Sequence, residues 1–204
     1  MITINIDLGA ATEAEALVLF DHNLTSAATI TLIGIDPPLF TEAVPWAEEK
    51  IVHYLSVATT KRYWQLQITD AGNPDGYIEI GKKFLGPYLE LTQHYIEGYK
   101  RKVKLLHDKK ESQYGKRHQR FFNKQNEFAY EFKAVPGSDV TSLEELIDAI
   151  TDRSSGRFDP IFYNEDSAYP GKTWLVDVYE LPIDHETLDK FSMPLQLQEV
   201  VKSV

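Results

Sequence analysis

Cysteine is absent from all 204 residues. This excludes a disulfide framework, a thiolate metal site and a thiol nucleophile, and it agrees with assembly in a reducing cytoplasm. Long apolar runs are missing too: nothing approaches the roughly 18 residues a bilayer-spanning helix needs, so membrane insertion is not expected. The opening "MITINIDLGA" has neither the basic residues nor the apolar core of a secretory leader. Signatures of common catalytic sites are also lacking. There is no HExxH, no GxSxG elbow and no GxxxxGK[ST] phosphate loop. The histidines, at 22, 53, 94, 107, 118 and 185, do not fall at metal-ligand spacings. No cofactor, no metal and no catalytic residue is therefore assigned, and a non-enzymatic protein is expected.

What is present is an ordinary globular composition, 43% apolar and 25% charged, with an uneven charge. The formal net charge is −10, yet residues 98–133 hold eleven Lys and Arg against four acids, +7 in all, which leaves −17 for the remainder. One basic segment in an acidic body suits contacts between subunits or with an anionic partner. Nucleic acid is not the partner expected, because the acidic body repels it and no named binding motif occurs.

Alternation dominates the first hundred residues. Ile2, Ile4, Ile6 and Leu8 share one face of a strand that Gly9 is expected to end; "ALVLF" and "ATITLIGI" follow, and Trp64, Leu66 and Ile68 repeat the pattern. Many short strands with turn signals predict a β-sandwich of the jelly-roll kind over 1–97. Residues 98–204 read as an α+β sheet domain with the order β-β-helix-β-β. Its helix is expected at about 142–153, where Ser142 and Glu145 match a capping box and Leu143, Leu146, Ile147 and Ile150 form one apolar face. "DKKESQYGKRHQRF" is so polar that it reads as a long loop.

One stretch invites a ligand reading, "RYWQLQITDAGNPDGYIEIGKKFLG" at 62–86. Aligned to a calcium loop of the EF-hand kind, its first position is Ala71 and its twelfth is Lys82, so both key ligands are missing. Asn73-Pro74-Asp75-Gly76 instead has the residues of a β-turn. His22, in "FDHNL", is expected to order a turn by hydrogen bonding.

"INIDLGAATEAEALVLFDHNLTSAATITLIG", "RYWQLQI" and "NPDGYIEIGKKFLGPYLE" together resemble a group of tailed-bacteriophage structural proteins. In that group a discoidin-like, galactose-binding-like jelly roll precedes a tail-associated domain. The second half, with "GRFDPIFY", is similar to the sheet-and-helix domain of distal tail proteins. The resemblance implies a virion component of the tail tip, forming a ring, a hexamer or trimer, that joins the tail tube to the tip or hub proteins. The ring's contacts are expected at Lys109, Lys110, Lys116, Arg117 and Arg120 of the basic segment. The alternative reading is a carbohydrate-binding module that touches the host surface through Trp46 and Tyr54.

Overall fold

The computed structural model describes residues 1–92, 100–111, 117–152, 157–166, 169–187 and 190–200. The chain divides into two compact units, Met1–Tyr88 with Asn164–Thr173, and Leu89–Tyr163 with Trp174–Val204. Both are mainly β, and each is built on an antiparallel sheet.

The first unit holds β1 (Ile2–His22), β2 (Thr29–Gly34), β3 (Phe40–Val44), β4 (Lys50–Thr69) and β5 (Ile80–Gly86), hydrogen-bonded in the order β3-β2-β4-β1-β5. "IDLG" and "ALVLF", expected as separate strands, are one. Gly9 does not end β1; at φ 78° it occupies a left-handed position that favours glycine. It lies in a bulge between Asp7 and Thr12, where four residues of β1 stand against Arg62 alone of β4. A second irregularity, between Ala14 and Ala16, takes up residues 55–58 of β4. Bulges bend strands and raise their twist, and here they separate two halves of the β1–β4 ladder. Leu17, Leu19 and Ile51 from one half join Trp64, Leu66 and Ile68 from the other in a single core, with Ile30 and Leu32 of β2. Trp64 is fully buried, and Phe40 meets its ring edge-on at 5.7 Å.

"DPPLF" breaks regularity as its prolines require, but β3 starts directly after it and was not foreseen. Lys61 of β4 is buried there. Its ammonium donates to the Asp36 and Pro38 carbonyls, both at 2.5 Å, while the Asp36 carboxylate accepts from Arg62 N and Tyr63 N. These bonds tie the β2–β3 connection to β4.

The second unit contains β6 (Lys100–Glu111), β7 (Arg117–Pro136), α1 (Gly137–Ile150), β8 (Thr151–Asp152), β9 (Arg157–Phe158), β10 (Ile161–Asn164), β11 (Thr173–Glu180), β12 (Asp184–Thr187) and β13 (Lys190–Glu199). This is a longer series than the expected β-β-helix-β-β. The sheet order is β10-β11-β13-β7-β6, with β12 also paired to β13 and β8 paired to β9. Phe128, Tyr130 and Phe132 alternate along β7 and face Trp174, Val176, Met193, Leu195 and Leu197 in one aromatic-rich core.

Two expectations fail in this unit. The helix begins at Gly137, five residues earlier than predicted, and ends at Ile150. Ser142 is then interior, and its hydroxyl donates to the Ser138 carbonyl at 3.1 Å, the back-bonding open to a mid-helix serine, so no capping box forms. Asp139 takes up the anchoring role: its Oδ2 accepts from Thr92 N at 2.8 Å and Thr92 Oγ1 at 2.6 Å. The second failure is "DKKESQYGKRHQRF". Most of it is strand, with Asp108 opposite Arg120 and Glu111 opposite Arg117. Polarity on both faces removes the alternation that reveals a strand, but a ladder needs only its backbone groups. The end of the expected helix, at residue 153, lies outside the described residues.

Candidate functional site

The loop between β4 and β5 is closed by its own side chains. Gly76 N donates to Asn73 O at 3.1 Å and Asp75 N to Asn73 Oδ1 at 3.0 Å, so the expected turn is present. The acids are engaged from the β1–β2 connection. Thr25 N donates to Asp70 Oδ2 at 2.8 Å and Thr25 Oγ1 to Asp70 Oδ1 at 2.7 Å. Asn73 Nδ2 adds a bond to Asp70 Oδ2 and another to Asn23 O. Asn23 Nδ2 in turn donates to Asp75 Oδ2 and Tyr77 O, and its Oδ1 accepts from Glu79 N. The Thr25 amide, then its hydroxyl, hold the Asp70 carboxyl below the ordinary carboxylate range. This is a clasp between two connections, held by groups that a cation would have to displace.

His22 has the expected ordering role. Its Nδ1 accepts from Leu24 N at 3.2 Å while Nε2 faces the Ala47 carbonyl at 3.1 Å, which requires the neutral ring with its proton on Nε2. Next to it, Trp46 is partly buried against the core and its Nε1 donates to Leu24 O at 3.0 Å. The Tyr54 hydroxyl accepts from Asn164 Nδ2 at 2.8 Å, and its ring meets Tyr88 edge-on at 5.3 Å. Both residues named for sugar binding thus hold internal contacts.

The basic segment takes a definite backbone form. β13 pairs with β7 only as far as Gln198 opposite Glu127, whereas β6 pairs with β7 from Ala129 to Arg117. Among the described residues, β7 from Arg117 to Asn126 has β6 as its one neighbouring strand. The β6–β7 pair therefore runs past the sheet as a two-stranded arm of about 30 Å, nine residues of β6 beyond Lys102 at the usual strand rise. Lys109 and Lys110 of β6 and Arg117 and Arg120 of β7 lie on it, their side chains outside the described set; Lys116 is itself outside the described residues. The arm's root is clamped. Asn126 N and Nδ2 both donate to Glu199 Oε2, and Gln125 Nε2 donates to Glu199 O. Lys102 and Lys104 both pair with Glu127. Arg101 lies over the rings of Trp174 and Phe128, at 5.0 and 5.8 Å.

No known protein family, curated protein or solved structure matches the chain. The site chemistry has to be argued from its own groups.

One cluster has the composition of a hydrolase site and was missed in the sequence, because Glu42 sits on the unforeseen β3. Glu42 Oε1 lies 2.8 Å from His53 Nε2, and Ser56 Oγ donates to Glu42 Oε2 at 2.9 Å. Burial pushes the Glu42 carboxyl up, but the bonds from Ser56 and His53 outweigh it and leave the group below its ordinary value. In a serine triad the imidazole stands between hydroxyl and carboxylate and takes the hydroxyl proton. Here the carboxylate stands in the middle, so the histidine cannot activate Ser56. The cluster braces the bulged part of β4, with Ser56 N also donating to Glu42. No group of three or more His, Asp or Glu that could hold a metal occurs among the described residues.

Proposed function

We propose that the protein is a non-enzymatic virion component of a tailed phage, a distal-tail or tail-tip adaptor that forms a ring joining the tail tube to the tip. The observation that carries this reading is the clamped basic arm, which extends beyond the sheet of a chain whose remaining charge is strongly negative. A ring of identical subunits needs one patch to dock on a different patch of the neighbour, and opposite charges set the register of such contacts. The resemblance of "RYWQLQI" and "NPDGYIEIGKKFLG" to phage structural proteins points the same way, with the first unit as a jelly-roll-like domain. The bent β1–β4 ladder, whose two halves face one core, supports that architecture.

The test is the mass of the purified chain by light scattering across concentration and salt, with negative-stain images of large species. Closed rings that dissociate at high salt are expected. A chain that stays monomeric and binds glycans on an array, with binding lost in Trp46→Ala, replaces the ring with the sugar-binding reading.

A further inference from the structure

We infer that the outer face of the first unit's sheet, around Asn5, Gln65 and Tyr63, binds an uncharged glycan. This goes beyond the ring-forming reading and does not depend on it.

Register fixes which side chains share that face. Residues directly opposite in an antiparallel ladder point the same way, and successive residues along a strand alternate. Ile4, Leu66 and Leu32 are paired across β1, β4 and β2 and turn into the core. One residue along, Asn5, Gln65, Ile33 and Thr41 are paired across β1, β4, β2 and β3 and turn away from it. Thr3, Gln67, Thr31 and Ala43 form the neighbouring row on the same face. All eight are partly or fully exposed. At about 4.8 Å between strands, the rows span about 14 Å of sheet width. On the other side of the Asn5 row, Tyr63 is paired with Asp7 and retains 41% of its surface. Ile35, whose amide donates to Tyr63 O, lies next to it and is also exposed.

The face lacks charge. A quarter of the chain's residues are charged, yet neither row contains one. The exposed face of the second unit's sheet has the ordinary composition: Lys102 and Lys104 pair with Glu127 there, and Lys133 with Glu131. At the rim of the first unit's face, Arg62 and Asp7 neutralise each other, Nε donating to Oδ1 at 2.8 Å and Nη2 to Oδ2 at 3.0 Å. The guanidinium lies 4.7 Å from the Tyr63 ring centroid and steadies it from one side. An anionic partner therefore finds no cation on either row.

The face offers hydrogen bonding in both senses. Gln65 Nε2 donates to Asn5 Oδ1 at 3.1 Å. That bond orients both amides and leaves Gln65 Oε1 to accept and Asn5 Nδ2 to donate. Among the described residues the Gln67 amide and the Thr31 and Thr41 hydroxyls have no protein partner. A glycan matches this set: its hydroxyls are neutral, each both donates and accepts, and its C–H faces can lie on Tyr63 beside Ile33 and Ile35. A protein partner fits less well. Asn, Gln and Thr groups buried in a dry interface need partners, and a folded protein has most of its backbone groups already paired.

The experiment probes an array of oligosaccharides with the full chain. Uncharged chains of hexoses and N-acetylhexosamines are printed beside sialylated and uronic-acid chains, and the strongest binder is titrated by calorimetry. Binding to uncharged chains is expected, unchanged between about 0.05 and 0.5 M salt because no ion pair carries it. Tyr63→Ala should weaken it about tenfold or more and Gln65→Ala about fivefold, with the fold of each checked by circular dichroism and Tm. Gln67→Glu keeps the side chain's shape, adds a charge and should weaken binding as well. A folded chain that binds nothing on the array overturns the site. So does binding confined to charged chains, binding at full strength in all three variants, or binding lost only in Trp46→Ala. A dimer that dissociates in Tyr63→Ala, with no glycan bound, gives the face to a second copy instead. Ring formation is read separately by light scattering, so either reading can fail alone.

Discussion

Asn23 reaches Asp75 across 52 positions of sequence, its Nδ2 donating to Oδ2 at 3.0 Å. The same side chain bonds Tyr77 O and Glu79 N, so one amide ties the end of β1 to the connection before β5. Asn23→Ala breaks all three bonds and leaves the Tyr77 and Glu79 backbone groups to water. We expect a loss of about 1–3 kcal/mol, read as a lower Tm, with proteolytic cleavage appearing near residue 75.

Calcium should not stabilise this loop. Both Asp70 oxygens already accept bonds from Thr25, and Asp75 is bonded to Asn23. Millimolar calcium is expected to leave the Tm unchanged, and calorimetry should show no binding heat. A clear upward shift would mean that the clasp opens to bind the cation.

Legibility in the sequence followed the backbone's need for an apolar face. Trp64, Leu66 and Ile68 in β4 and the Asn73–Gly76 turn were readable because burial or turn geometry selects those residues. The arm was hidden for the opposite reason: its strands need only each other's backbone groups. Gly9 misled because a left-handed glycine marks a bulge as readily as an end. Ser142 and Glu145 satisfied the capping pattern by spacing alone, while the helix start was set by Pro136 and the inward Asp139. Contacts such as Glu42 with His53 and Ser56 depend on which strands pair, and local spacing carries no record of that.

His22 predicts an acid-sensitive clasp. Burial pushes its pKa below the ordinary histidine value of 6.5, and the bond to Ala47 O only partly opposes this. The unfolded chain therefore takes up the proton first as pH falls. The stabilisation from neutral His22 is complete above about pH 6.5 and is lost as pH drops through the lower folded value. Protonation also removes the acceptor that Leu24 N uses. Compared with His22→Gln, the wild type should lose more Tm between pH 7 and pH 5. Parallel pH profiles would assign the effect to other groups.

Trp46→Phe separates the packing of the indole from its hydrogen bond. The ring still covers the core, but Leu24 O loses its donor, at a cost of about 1 kcal/mol. Trp46→Ala also opens a gap beside the core, and about 3 kcal/mol is expected. Chemical denaturation of the three proteins measures the ladder. Equal losses for Phe and Ala would show that the N–H bond, rather than the packed ring, is what matters at this position.

Asp139 couples α1 to Thr92, which follows β5 in the chain, through two bonds from that residue to a single carboxylate oxygen. The carboxylate is buried and sits in the first helical turn, where the dipole favours it. Asp139→Ala leaves the Thr92 amide and hydroxyl without an acceptor, and about 1–3 kcal/mol is expected. Asp139→Asn keeps one acceptor oxygen in place and should recover part of the loss. Val140 and Leu143 still bury the helix in either variant, so the helix should stay folded while the Thr92 amide exchanges faster with solvent. Hydrogen exchange at Thr92 distinguishes the outcomes: faster exchange confined to that segment supports a tether, whereas loss of protection throughout α1 would make Asp139 a condition for the helix itself.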